Sequence, residues 1–155
     1  MSNYRRWVPL IVGLFLVLSW YKLISGNLSL GDEYNKYLTE ARKYAEDGIT
    51  KYALENYNLA LEVKSSPELY VEVANYYKGQ NNTKEFVVWA ENAVTEYGIS
   101  SVAYDCLLDA YLTVKDYESC YDVLGVIEKR EITSEYIEQV KEQIKYYYQF
   151  DYNTF

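Results

Sequence analysis

The sequence predicts an all-α protein: a right-handed solenoid of helical hairpins behind one N-terminal membrane-spanning helix. Three observations carry this expectation. An apolar stripe with helical spacing returns at a fixed interval of about 34 residues between Tyr37 and Ile127. Turn and cap residues separate the stripes at matching intervals. The N-terminal segment up to Ser25 holds an uncharged apolar run flanked by basic and aromatic side chains.

The N-terminal run lies in "RRWVPLIVGLFLVLSWYKLIS", with no charge from Trp7 to Tyr21. Lys22 can snorkel, so Leu23 and Ile24 extend the stretch to about 18 residues, near the lower limit for crossing a hydrocarbon core. Trp7, Trp20 and Tyr21 stand where interfacial aromatic belts form, and Arg5 and Arg6 hold the N-terminus in the cytoplasm. The organisation expected is a cytoplasmic N-terminus over 1–6, a signal anchor over 7–25, a linker over 26–31 and everything later outside. A cleaved signal peptide and a buried core helix are the other readings. Leu23 and Ile24 make a poor cleavage site, and a wholly apolar cylinder is hard to hide in a chain of 155 residues.

The repeat begins with Tyr37, Ala41 and Tyr44 on one helical face. Tyr70, Ala74 and Tyr77 follow one period later, and Tyr104, Leu108 and Tyr111 one period after that. A second stripe, Ala53, Tyr57 and Ala60, returns as Phe86, Ala90 and Ala93, then as Cys120, Leu124 and Ile127. Two helices per period indicate stacked hairpins, none of which can bury its stripe alone. Small residues let paired helices approach, while tyrosines fill the wider gaps and keep their hydroxyls at the rim.

The punctuation gives helices over 32–47, 50–63, 67–78, 83–96, 100–113, 117–130 and 134–149. Asp32, Thr83 and Asp116 can cap, Gly48 can stop the first helix, and Ser66-Pro67 is a cap followed by a first-turn proline. Hairpins then occupy 32–133. The last helix sets Ile137, Val140, Ile144 and Tyr147 on one face against Glu135, Glu138, Glu142 and Lys145 on the other, the polar exterior a terminal cap needs.

Over residues 34–132 this pattern resembles the tetratricopeptide repeat (TPR) family, most clearly at Tyr37, Ala41, Tyr44, Ala53, Tyr57 and Ala60. Phe86 and Leu108 depart from it, standing where small residues are usual. The closing proline occurs only as Pro67. The resemblance implies a scaffold that docks a protein or peptide partner on the concave face of the first helices. The positions it assigns there are Asn35, Leu38, Arg42, Val71, Asn75, Lys78, Val102, Asp105, Asp109 and Leu112, with Ala45 beside them. Arg42, Asn75 and Lys78 suit a carboxylate or amide, and Asp105 and Asp109 suit a basic group. The basic clamp for C-terminal carboxylates is not reproduced: Leu38, Glu72, Val102 and Cys106 occupy its places.

Other function classes find little support. There is no His, so the commonest general base and metal ligand is missing. The acid pairs Glu46/Asp47 and Asp105/Asp109 read as solvated helix faces, and no catalytic, cofactor or metal site is expected. Cys106 and Cys120 fit no zinc or redox spacing and fall in apolar patterns, as buried thiols do. "GQNNT" lacks the lysine of a phosphate loop. Asn27-Leu28-Ser29 and Asn81-Asn82-Thr83 fit the glycosylation sequon, a pattern short enough to arise by chance. Net charge is −8, and residues 1–25 carry +3, leaving 12 basic against 23 acidic residues and a net of −11 in the body. Such a body excludes nucleic acid as the expected partner.

The ending "KYYYQFDYNTF" is too aromatic for a solvated tail. Residues 150–155 either fold back on the last helix or lead into a further domain. They resemble the approach to the first strand of bacterial tryptophan-glycine (WG) repeat proteins, which join an anchor and helical repeats to a β-repeat domain. That implies a second role, a structural spacer presenting a C-terminal domain.

Overall fold

The computed structural model describes residues 16–17, 20–21 and 30–151, and all regular structure among them is α-helical. The helices are α1 (residues 30–46), α2 (Thr50–Val63), α3 (Pro67–Gly79), α4 (Thr83–Glu96), α5 (Ser101–Thr113), α6 (Tyr117–Lys129) and α7 (Glu135–Asp151). The chain divides into two units, Met1–Lys64 and Ser65–Phe155.

In the first unit, α1 and α2 bury Ala41, Ala53, Tyr57 and Ala60. The Tyr44 and Tyr52 rings meet with centroids 5.4 Å apart. Asn56, the buried polar side chain here, returns its amide to the Tyr52 carbonyl one turn back at 2.9 Å, which removes the cost of burying it. Asp32 lies inside α1 rather than at its cap, because the helix already includes residues 30 and 31. The proposed anchor at 7–25 lies outside the described residues except for Leu16, Val17, Trp20 and Tyr21, which are helical and exposed. Among the described residues no helix is long and apolar enough to cross a membrane.

In the second unit, α3 packs on α4, α4 on α5, α5 on α6, and α7 on both α5 and α6; the first helices α3 and α5 also touch. The expected stripes form its core. Ala74, Phe86, Ala90, Cys106, Leu107 and Ala110 make one cluster. Tyr104, Leu108, Cys120, Leu124 and Ile127 make a second, closed by Ile137, Val140 and Ile144 of α7. Phe86 and Leu108, larger than the repeat pattern usually allows, are both fully buried. Tyr70, Trp89 and Tyr97 pack ring against ring at 5.7 and 6.0 Å beside them. Tyr147, expected on the apolar face of α7, is 37% exposed; Tyr148 takes the inward position, because its neighbour points one residue too far round.

The helix boundaries have local causes. Ser66 accepts from the Leu69 amide at 3.2 Å ahead of Pro67, and Asp116 accepts from the Ser119 amide at 3.0 Å. Asn82, not Thr83, caps α4 by accepting from Glu85, and Ser100 caps α5. Ser134 caps α7, accepting from the Ile137 amide at 3.0 Å, so the helix proper starts at Glu135. Gly48, Asn81 and Lys115 end α1, α3 and α5 with left-handed φ of 73°, 55° and 61°. Each is followed by an amide that reaches back five positions, Ile49 to Tyr44, Asn82 to Tyr77 and Asp116 to Tyr111, the bond that closes a helix C-terminus. These stops recur at the same interval as the apolar stripes, so the side-chain period is also the period of the backbone.

Candidate functional site

The first helices of the second unit share one side, built from α3, α5 and the start of α7. On α3, Val71, Asn75 and Lys78 follow each other at helical spacing. Asn75 and Lys78 are exposed or nearly so, and Val71 is half-buried against the core. On α5, Val102 is exposed, while Asp105, Asp109 and Leu112 are half-buried. In the first unit, Asn35 and Arg42 are exposed and Leu38 and Ala45 lie along α1 with them.

The charged side chains of α3 and α5 on this side have partners within the protein. Lys78 of α3 donates to Asp109 of α5 as an ion pair, and its ammonium also lies 5.4 Å from the Phe86 ring. Asp105 accepts from the Ser134 hydroxyl at the start of α7. Lys78 therefore belongs to the same cluster as the two aspartates, whereas the sequence reading sets a basic and an acidic end apart.

Burial raises the Asp105 carboxyl above the usual carboxylate range, and the Ser134 hydrogen bond only partly opposes this. Tyr136, at the start of α7, is half-buried, and its hydroxyl is pushed up to about 12 by burial and by the neighbouring Asp109 and Asp105 carboxylates. Within this cluster one cation faces two carboxylates, so the surface keeps a negative excess.

Ser134 and Tyr136 were missed by sequence reasoning, which treated α7 only as a cap. Extending the repeat by one more period from Val102 lands on Tyr136, so the signal was present.

Both cysteines are free and buried. Burial pushes the Cys106 thiol up to about 12 and the Cys120 thiol up to about 11, so both stay protonated at neutral pH and are poor nucleophiles. Among the described residues no cluster of three or more His, Cys, Asp or Glu side chains could hold a metal ion.

No protein-family model, no curated protein and no solved structure matches the chain.

Proposed function

We propose that this chain is a non-enzymatic interaction scaffold of the tetratricopeptide type, anchored in a membrane through residues 7–25. Its partner is an extended peptide or protein segment carrying a basic group. That segment docks along α3, α5 and the start of α7, with Val71, Val102 and Leu112 offering apolar contact and Asn75 a directed amide. The observation that carries this is the pair of half-buried carboxylates, Asp105 and Asp109, against the cation Lys78 in the same cluster. A charged hydrogen bond formed in such a half-desolvated place is stronger than one in open water. Arg5 and Arg6 put the N-terminus in the cytoplasm and the helices outside.

A set of extended peptides of graded charge tests this. Binding to the full chain should favour peptides with Lys or Arg and should weaken about tenfold on Asp105→Asn/Asp109→Asn, in line with loss of one charge-assisted hydrogen bond. Indifference to peptide charge would remove the proposal.

One observation favours the alternative, a structural spacer presenting a further C-terminal domain. Each carboxylate of this surface already has a partner within the protein, Asp109 in the Lys78 ammonium and Asp105 in the Ser134 hydroxyl. A spacer predicts that substitutions there leave every interaction of the protein unchanged.

A further inference from the structure

The two carboxylates of the α3–α5 surface keep different company. Asp109 holds the Lys78 ammonium, which is steadied from a second direction by the Phe86 ring at 5.4 Å. Asp105, one turn earlier on α5, accepts from the Ser134 hydroxyl, a neutral donor. Ser134 is itself committed, since its oxygen accepts from the Ile137 amide at 3.0 Å as the cap of α7. Burial raises the Asp105 carboxyl, the Ser134 hydrogen bond opposes this only in part, and no cation among the described residues offsets the rest.

Lys78 shows how a cation is taken on this surface. Its ammonium meets a half-buried carboxylate with an aromatic ring close by. Asp105 offers the same two components. It is half-buried, and so is Tyr136 of α7 near it, whose hydroxyl is pushed up by burial and then by the Asp109 and Asp105 carboxylates. What differs is the cation, which the protein supplies to Asp109 and not to Asp105. Val102, exposed one turn before Asp105, adds an apolar contact on the side away from Asp109 along α5.

We propose that this surface, on its reading as the docking site of a basic segment, accepts one basic side chain and no second. The ligand's cation sits on Asp105 alongside Tyr136, and Lys78 occupies Asp109 in place of another. The partner is an extended segment with a single Lys or Arg beside an apolar residue that meets Val102. A polybasic segment gains nothing from its further charges, because the next carboxylate is already paired and Lys78 repels a second cation.

The probe is a series of fluorescent extended peptides with blocked ends, carrying no Lys, one Lys, or two Lys one or two places apart. Each is titrated into the full chain in detergent micelles and followed by anisotropy. Salt is held at about 0.15 M, where exposed charges more than about 8 Å apart are screened. The first Lys should tighten binding about tenfold, as one charge-assisted hydrogen bond does, and the second should change it less than about twofold. Lys78→Met keeps the stem over Phe86 and frees Asp109, so the second Lys should then add about fivefold or more. Asp105→Asn keeps an acceptor for Ser134 and should abolish the gain from the first Lys. A second Lys that tightens binding about tenfold in the wild type would show that both carboxylates read the ligand; basic docking would stand and the single-cation proposal would fall. A gain from the first Lys that survives Asp105→Asn, or no gain from the second in Lys78→Met, would overturn it in the same way. No gain from the first Lys in the wild type would instead remove the docking reading, and this proposal with it. Thermal unfolding checks each variant, and the wild-type series decides alone if Lys78→Met does not fold.

Discussion

Lys78 and Asp109 are 31 residues apart and form an ion pair that joins α3 to α5. The pair is one turn of α5 from Asp105, which is tied in turn to Ser134. Helices α3, α5 and α7 are thus stitched along one side by polar side chains. The Lys78 side chain is 42% exposed and that of Asp109 31%, so this stitching contributes little to stability. A double-mutant cycle with Lys78→Ala and Asp109→Ala should give a coupling of about 1 kcal/mol or less, fading in high salt. A coupling of several kcal/mol in chemical denaturation would make the pair a structural element instead.

Arg130, just past α6, ties the end of the third repeat to α5 and to the loop ahead of it. Its guanidinium donates to the Gly98 carbonyl at 2.6 Å and to the buried Tyr104 hydroxyl at 2.9 Å. Arg130→Ala leaves that hydroxyl without its donor and should cost about 1–3 kcal/mol. Tyr104→Phe in the same background should recover part of the loss, a result thermal unfolding can read.

Backbone strain is stored at Lys115, a non-glycine residue at φ 61°, in the place where α1 uses Gly48 at 73°. Lys115→Gly relieves a left-handed cost of roughly 1–2 kcal/mol against a glycine entropy cost of about 0.5–1 kcal/mol, for a net gain below about 1 kcal/mol. Gly48→Ala should destabilise by a similar or larger amount. Opposite signs at the two equivalent positions are the expected outcome in urea titrations.

Alkaline pH should unfold the protein. The Cys106, Cys120 and Tyr136 groups all hold their protons more tightly folded than unfolded, at about 12, about 11 and about 12 against ordinary values of 9.0, 9.0 and 10.0. Above those ordinary values the unfolded chain binds fewer protons than the folded one, so stability falls as pH rises. The fall should start near pH 9 with the thiols and steepen above 10 as tyrosines join. Cys106→Ala/Cys120→Ala should flatten the curve between pH 9 and 10, and denaturant midpoints across that window check it.

Most of the fold was legible because its determinants are local and periodic. The stripes Tyr70/Ala74/Tyr77 and Phe86/Ala90/Ala93 announce helix faces, and both reappear buried or half-buried where their spacing puts them. The Ser66 and Asp116 caps were readable because Ser and Asp accept amides at fixed offsets. Thr83 misled because Asn82, one residue earlier, is an equally good cap and won the position. The candidate surface was only half legible. Helical spacing put Asn75, Lys78, Asp105 and Asp109 on the first helices. The Lys78–Asp109 bond depends on the step between two helices, and no spacing along one helix reports that distance.

The most direct test of the scaffold reading is site-specific photocrosslinking in cells from Asn75 and from Val102, both exposed. The comparison is wild type against Asp105→Asn/Asp109→Asn, after circular dichroism shows that both are equally helical. The account predicts a discrete adduct with one partner from both positions, lost in the double variant. No discrete adduct, or the same adducts in wild type and the double variant, would contradict it and leave the spacer as the better account.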